Sequence, residues 1–212
     1  VSINYRFVTT DILPAPVHDA ARALQFVRYM SEEWDIDKNR IALNGTSAGA
    51  CSSLWLALHD DMADPESEDP VLRESTKPTC VAAVNGQTYF DPEWIKANIG
   101  WNANRHRMAY LSFGSPSALD MLNNNENYQD LIYEFSPISH VDADDPPVYL
   151  QYGSDLTVPA PTINAGIHHG IFGIELKKRA DIAGMECYLN ITNYSQSIYP
   201  SALKFIKVML SR

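Results

Sequence analysis

Residues 40–59 read RIALNGTSAGACSSLWLALH and combine a short apolar run, a glycine-flanked turn and an apolar helical pattern. The run Ile41–Leu43 is followed at once by a polar turn, as expected for a short parallel strand that is covered on both faces. Gly45 and Gly49 flank Ser47 in the pattern G-x-S-x-G, which favours an abrupt passage from strand to helix. The stretch therefore predicts a strained turn that raises Ser47 above one edge of a sheet.

Ser47 in this setting is typical of a nucleophile. The helix that begins after it would direct the amide of Ala48 to the place where an oxyanion forms during acyl transfer. The five-residue pattern also arises by chance in roughly one chain in twenty of this length. Because a strand precedes the pattern and an uninterrupted helix follows it, we predict a nucleophile elbow.

Composition excludes several classes of partner. The 212 residues are 45% hydrophobic and 20% charged, which suits one soluble globular domain with a sizeable core. The net charge of -10 argues against nucleic acids and anionic membranes, since binding to either needs clustered Lys and Arg. No apolar run approaches the roughly 20 residues of a membrane span. These observations leave the compartment open, with cytoplasm as the default.

The metal-ligating residue types do not form a metal motif. Cys51, Cys80 and Cys187 are far apart in apolar stretches, so we expect buried free thiols. His168 and His169 are adjacent, but no carboxylate or cysteine lies at a helical interval from them to complete a site. We therefore predict neither a metal ion nor an organic cofactor.

Strand and helix patterns alternate along most of the chain. Besides the strand before Ser47, we expect strands at residues 1–8, 80–88, 146–153 and 186–192. We expect long helices that begin near Pro14 and after Ser47, and others over residues 162–184 and 199–210. The alternation predicts an α/β fold of three layers, with a mostly parallel sheet and helices on both faces.

Residues 91–137 interrupt this alternation. Helical pieces at 92–98, 117–123 and 128–135 are separated by Gly, Asn and Pro. We interpret the segment as a small helical cap-like insertion within a single domain of residues 1–212. Four aromatic residues of this segment are candidates for the lining of a substrate pocket, namely Trp94, Trp101, Tyr110 and Phe113.

Three separate segments resemble the α/β-hydrolase superfamily, in particular small carboxylesterases of the hormone-sensitive-lipase branch. They are VSINYR with the following PVHDAARAL, WDIDKNRIALNGTSAGA, and SPISHVDADDPPVYLQYGSDLTVP. The resemblance implies hydrolysis of small carboxylic esters through an acyl-enzyme intermediate, without a cofactor. It matches Ser47 to the nucleophile, the Ala48 amide to one oxyanion donor and Asp155 to the acid that orients a histidine.

The same resemblance exposes a gap in the sheet. The family has a strand between those matching residues 1–8 and 41–44, and its second oxyanion amide lies in the loop after that strand. This chain has no segment for it, and an unpaired edge in mid-sheet is costly. We therefore expect an upstream N-terminal segment, or a second copy of the chain, to complete the sheet. Direct pairing of residues 1–8 with residues 41–44 would contradict this expectation.

The chain also differs from the family at the general base, the histidine that takes the proton of the nucleophile. The loop at residues 193–197, where the family places its histidine, contains none. Helices that follow parallel strands begin at the sheet edge that carries Ser47. His168 and His169 come after Asp155 and near the start of their expected helix, so one of them is our candidate base. The alternative is a catalytically impaired α/β-hydrolase-like binding or interaction protein.

Overall fold

A four-stranded parallel sheet forms the centre of the computed structural model, which describes all residues, Val1–Arg212. Its strands are β1 (Ala42–Thr46), β2 (Cys80–Val84), β3 (Val148–Tyr152) and β4 (Cys187–Ile191), and they lie side by side in that order. Each strand is parallel to the next, with Ala42 opposite Cys80 and Val148 opposite both Val81 and Cys187. All four carboxyl ends therefore lie at one edge, which is where Ser47 follows β1.

Ten α-helices surround the sheet. They are α1 (Ala15–Tyr29), α2 (Ala48–Leu58), α3 (Pro92–Asn98), α4 (Trp101–Asn104), α5 (Arg107–Leu111), α6 (Ala118–Asn123), α7 (Gln129–Phe135), α8 (Ile163–Ile167), α9 (Ile171–Ala183) and α10 (Ala202–Met209). Short 3-10 helices cover Asn125–Asn127 and Pro137–His140. None of the helices is both long enough and apolar enough to cross a bilayer.

Alternation along β2 shows how the layers form. Side chains of successive strand residues point to opposite faces, so Val81 and Ala83 lie on one face and Cys80 and Ala82 on the other. The first face packs against α2 and α9 in the largest apolar cluster, while the second packs against Phe205 and its neighbours in α10. All four of these β2 residues are fully buried, as a strand covered on both sides requires. The predicted three-layer α/β architecture is confirmed.

The prediction of a strand at residues 1–8 is wrong. The segment has no regular secondary structure and is mostly exposed, because no neighbouring strand lies beside it to accept its backbone hydrogen bonds. Arg6 ties it to α1 through an ion pair with Asp19 at 2.8 Å. A groove of about 480 Å³ lies between this segment and residues 41–44. The direct pairing that would have contradicted the expected missing strand is not present, and β1 is an edge strand of the sheet.

The helix predicted over residues 162–184 is two helices, because its halves pack on different parts of the molecule. The first half, α8, packs against α4, whereas α9 packs against β4. The chain bends between them at His168–Gly170, where a Cβ on Gly170 would lie 2.6 Å from Leu156. The break places His168 at the end of one helix rather than near the start of a long one.

The region between β2 and β3 contains the three predicted helical pieces, α3, α6 and α7, and two further short helices, α4 and α5. Its large aromatic rings mainly pack on other rings. The Trp94 ring lies 6.1 Å from that of Phe172, and the Phe113 ring lies 5.3 Å from that of Phe90. None of the four aromatic candidates lines the cavity beside Ser47, so that expectation is wrong.

Candidate active site

Ser47 is held in a conformation that non-glycine residues rarely adopt, with φ +54° and ψ -120°. Its N–H donates to the Val84 carbonyl at 2.9 Å, which continues the pairing of β1 with β2. Its own carbonyl accepts from the Cys51 N–H at 2.9 Å, which is the first bond of α2. The strained residue is therefore fixed between the sheet on one side and the helix on the other.

Only one of the two flanking glycines is required by space. A Cβ on Gly45 would lie 2.3 Å from both the carbonyl carbon and the carbonyl oxygen of Gly49, a separation that no side chain tolerates. A Cβ on Gly49 would meet nothing within 4 Å. Gly45 thus permits the close approach of β1 to α2, whereas a side chain at Gly49 would have room.

The structure brings His168 to Ser47. The serine Oγ lies 2.8 Å from the histidine Nε2, within ordinary hydrogen-bond range. If Nε2 accepts the hydroxyl proton, the ring must carry its own proton on Nδ1, and that nitrogen makes no hydrogen bond to the protein. Ala48 is the first residue of α2, so its N–H has no partner within the helix and is available beside Ser47.

Packing of α8 fixes the approach of His168. The helix begins at Thr162, whose Oγ1 accepts from the Ala165 N–H at 3.1 Å. Gly166 lies so close to α4 that a Cβ on it would be 2.7 Å from the Ala103 nitrogen. This contact between two helix backbones fixes the end of α8, and His168 follows directly after it.

His169 is buried and engaged elsewhere. Its Nδ1 accepts from the Ile171 N–H at 3.2 Å, so its Nε2 carries the proton and donates to the Thr157 carbonyl at 3.3 Å. Burial lowers the pKa of His169 below its ordinary 6.5, and the Thr157 carbonyl and the charge of Asp155 oppose that shift. His169 is therefore a neutral residue that holds the loop and does not contact Ser47.

Asp155 does not meet either histidine through a hydrogen bond. It is exposed, and its Oδ1 accepts from the Thr157 N–H at 3.0 Å, which holds the pKa of its carboxyl below the usual value. Its negative charge acts on His169, where it opposes the lowering of the pKa by burial. The predicted acid therefore makes no direct hydrogen bond to the predicted base, His168.

A cavity of about 200 Å³ with largely apolar walls lies beside Ser47. Cys51, one helical turn along α2, contributes to its wall, and burial raises the pKa of that thiol to about 12. The thiol is therefore protonated and does not compete with Ser47 as a nucleophile. All three cysteines are free as predicted, and Cys80 and Cys187 are buried, whereas the residue Cys51 is only partly buried.

Two residues that line the cavity were given no role from the sequence. His106, the residue before α5, has a buried Nδ1 without a hydrogen-bond partner, and its pKa is lowered by burial and by the nearby His168. Gln87 follows β2 and hydrogen-bonds to the backbone just before His168. A polar residue shortly after a buried parallel strand was the available signal for Gln87. The sequence is compatible with His106 on the face that carries Ser47, but His106 precedes Asp155 in the chain and is therefore not chosen as the base.

A strained serine that follows a parallel strand, precedes a helix and touches an imidazole above a three-layer sheet defines the class of α/β hydrolases. The sequence profile of the BD-FAE family matches residues 1–162. The chain belongs to this family of α/β-hydrolase-type esterase domains, and by family it is a hydrolase of the carboxylesterase type. A comparison with curated proteins gave no match.

Solved structures with this fold include several esterases. An acetyl ester-xyloside bifunctional hydrolase from Caldicellulosiruptor lactoaceticus is 22% identical, with a TM-score of 0.68 over 98% of this chain and 68% of its own. A truncated carbohydrate esterase from gut microbiota is 20% identical, with a TM-score of 0.74 over 100% of this chain and 74% of its own. The thermophilic esterase Est2 from Thermogutta terrifontis is 21% identical, with a TM-score of 0.57 over 98% of this chain and 66% of its own. At these identities the likeness establishes the fold.

Proposed function

We propose that the chain hydrolyses small carboxylic esters through an acyl intermediate on Ser47, with His168 as the general base. The observation that carries the proposal is the 2.8 Å contact between the Ser47 Oγ and the His168 Nε2. Nucleophile and base within hydrogen-bond reach are the signature of covalent acyl transfer. The strained backbone of Ser47 supports the same role.

The reaction then has two halves. Ser47 Oγ attacks the ester carbonyl carbon while the His168 Nε2 takes its proton, and the Ala48 N–H helps to stabilise the oxyanion. His168 returns the proton to the alcohol oxygen as the bond between that oxygen and the carbonyl carbon breaks. In the second half a water gives its proton to His168 and attacks the acyl carbon. The Ser47 oxygen leaves and regains that proton, and the carboxylic acid departs.

The cavity favours a small, uncharged acyl group. Its volume of about 200 Å³ is below the roughly 300 Å³ at which pockets for drug-sized ligands begin. Phe90, Phe135 and Ile167 contribute to its apolar wall, and the net charge of -10 disfavours anionic substrates. The Thermogutta esterase has been solved with propionate and with butyrate bound, which are acids of this size. Within a single domain, residues 91–137 act as a cap by supplying His106 and Met108 to the wall.

Asp155 and His169 act on the base through the backbone. Asp155 holds the Thr157 N–H, the Thr157 carbonyl accepts from His169, and His169 in turn accepts from Ile171 at the start of α9. These bonds connect the loop before α8 to the residues after His168. The acid thereby positions the base without contacting it.

The second candidate is a catalytically impaired binding protein of the same fold. The His168 Nδ1 has no carboxylate partner, and in a serine triad loss of the acid costs about 10⁴-fold in turnover. The Ala48 amide is also the only oxyanion donor that we assign. A cavity with an intact apolar wall and an inefficient base would serve ligand binding.

A fluorophosphonate probe separates the two candidates. We expect it to label the wild type and Ser53→Ala, in which a serine of the same helix outside the cavity is removed, but not Ser47→Ala. Hydrolysis of p-nitrophenyl acetate should follow the labelling and should exceed that of the octanoate. If the folded wild type is not labelled, the esterase proposal fails and the binding protein is favoured.

The open edge of β1 calls for one further strand. β1 pairs only with β2, and a groove of about 480 Å³ lies along its other side, where its backbone groups have no strand partner. We propose that an upstream N-terminal segment or a second copy fills it. A particle of twice 23.7 kDa for residues 1–212 would support the second copy, and a 23.7 kDa monomer would contradict it. A longer chain with upstream residues whose β1 amides stay unprotected from hydrogen exchange would contradict the upstream segment.

A further inference from the structure

Gln87 lies in the loop after β2 and is almost fully buried. Its side-chain amide donates to the Ile167 carbonyl at 2.7 Å and to the Asn85 carbonyl at 3.2 Å. We propose that Gln87 is a positioning residue for His168, and this inference rests on the proposed function of His168 as the base.

The planar peptide bond couples the Ile167 carbonyl to the backbone of His168. The Ile167 carbonyl belongs to the same planar unit as the nitrogen and Cα of His168. A hydrogen bond that fixes the Ile167 oxygen therefore fixes the atoms from which the imidazole extends. Since His168 comes directly after α8 and before α9 begins at Ile171, its backbone lies outside the regular turns of both helices.

The loop that carries Gln87 is itself well anchored. Asn85 has φ +53° and its N–H donates to Gln151 in β3 at 2.8 Å. The Tyr152 hydroxyl donates to the Gly86 carbonyl at 2.6 Å, and a Cβ on Gly86 would lie 3.0 Å from the Ala50 Cβ. Gln87 thus connects His168 to the rigid centre of the molecule rather than to a surface loop.

The same segment also holds the nucleophile. The Val84 carbonyl accepts from the Ser47 N–H at 2.9 Å, and three residues later Gln87 binds the residue before His168. The first and last residues of this four-residue segment therefore bind the backbone on the two sides of the 2.8 Å hydrogen bond. This segment sets the distance between the serine and the imidazole without entering the reaction.

Gln87 also reaches the cavity wall, so contact with substrate is the competing role. Its amide nitrogen already donates to two backbone carbonyls, which leaves only Oε1 for a ligand. Loss of a substrate contact would raise KM, whereas loss of positioning would lower kcat and the rate at which a small probe labels Ser47. The two roles therefore predict different measurements.

The test compares Gln87→Met with Thr88→Val. Methionine keeps the shape of Gln87 and removes the donor. Thr88 is the matched control, because its buried hydroxyl makes the same kind of bond, to the Phe172 carbonyl at 2.8 Å, but away from His168. We expect Gln87→Met to lower kcat and the fluorophosphonate labelling rate about 10-fold, less than removal of the imidazole itself, because the displaced base still acts, with KM little changed. Thr88→Val should lose thermal stability to a similar extent and keep kcat.

Three results would overturn the inference: an unchanged kcat in Gln87→Met, an equal loss of kcat in both variants, or a rise in KM alone. If Gln87→Met does not fold, Gln87→Asn replaces it. Asparagine keeps the amide but is one methylene too short to reach Ile167, so full activity of that variant would also overturn the inference. A folded wild type that neither labels nor hydrolyses would instead remove the proposed function on which this inference rests.

Discussion

The two side chains that meet at 2.8 Å are held by different kinds of structure. Ser47 is fixed mainly by residues close to it in the chain, through the first bond of α2 and the glycine two residues before it, with one sheet hydrogen bond to Val84. His168 lies at a break between two short helices and is held by contacts from remote parts of the chain, with α4 on one side and Gln87 on the other. One half of the site is therefore local and the other half depends on tertiary packing.

Because of this difference, changes at the elbow should mainly affect stability, and changes at His168 should mainly affect catalysis. A change at the elbow acts on β1 and α2, both of which belong to the core, so the whole fold should respond. A change at His168 acts on a side chain outside the apolar clusters, in the short segment between α8 and α9, so the fold should survive while the geometry of the base changes. The comparison can be tested on each side.

The largest effect is expected at Gly45. A methyl group in Gly45→Ala would overlap two backbone atoms of Gly49 at 2.3 Å, and we expect a loss of about 3 kcal/mol or more in the free energy of unfolding. Gly49→Ala is the matched control, since its methyl group meets nothing within 4 Å and should stabilise α2 by about 0.5 to 1 kcal/mol. Urea denaturation of both variants measures the difference. Equal stability of the two would show that the elbow is looser than its geometry indicates.

His168→Ala should leave the fold intact and lower kcat about 100-fold. Loss of histidine in a complete triad costs about 10⁶-fold and loss of the acid about 10⁴-fold, so a pair without an acid contact should lose about the ratio of the two. Asp155→Asn should cost much less, because asparagine can still accept from the Thr157 N–H. Kinetics on one ester substrate, with circular dichroism to check folding, test both. A larger loss in Asp155→Asn than in His168→Ala would restore the acid to direct contact with the base.

The smallest effect concerns the pH dependence of stability. Because burial lowers the pKa of His169, the unfolded chain takes up a proton at this site before the folded protein does as the pH falls below 6.5. The contribution of His169 to stability is therefore complete above pH 6.5 and is lost as the pH falls through the folded pKa. Urea denaturation at pH 8 and pH 5 should show a smaller decrease for His169→Asn than for the wild type. An identical decrease would mean that folding leaves the pKa of His169 unchanged.

The features that the sequence could predict are those specified by adjacent residues. The elbow, α2 and the helix Pro92–Asn98 follow from local patterns of apolar residues, glycine and proline. The segment Val1–Val8 has the composition of a strand but no partner strand, and composition cannot reveal that. Sheet-edge reasoning together with the order after Asp155 reduced the candidates for the base to two histidines, but the choice of His168 depends on where α4 lies against Gly166. Asp155 was identified from its position after a strand, yet its distance from the base is set by the course of the loop.

The position of His168 before α9 has a practical consequence for the turn after β4. Residues 193–197 contain neither the nucleophile nor the base, and Tyr194 within them is 64% exposed. Lengthening a surface turn costs only tenths of a kcal/mol in closure entropy for a few added residues. This turn is therefore a suitable place to insert a short affinity tag or a fluorescent reporter while both reacting side chains keep their surroundings.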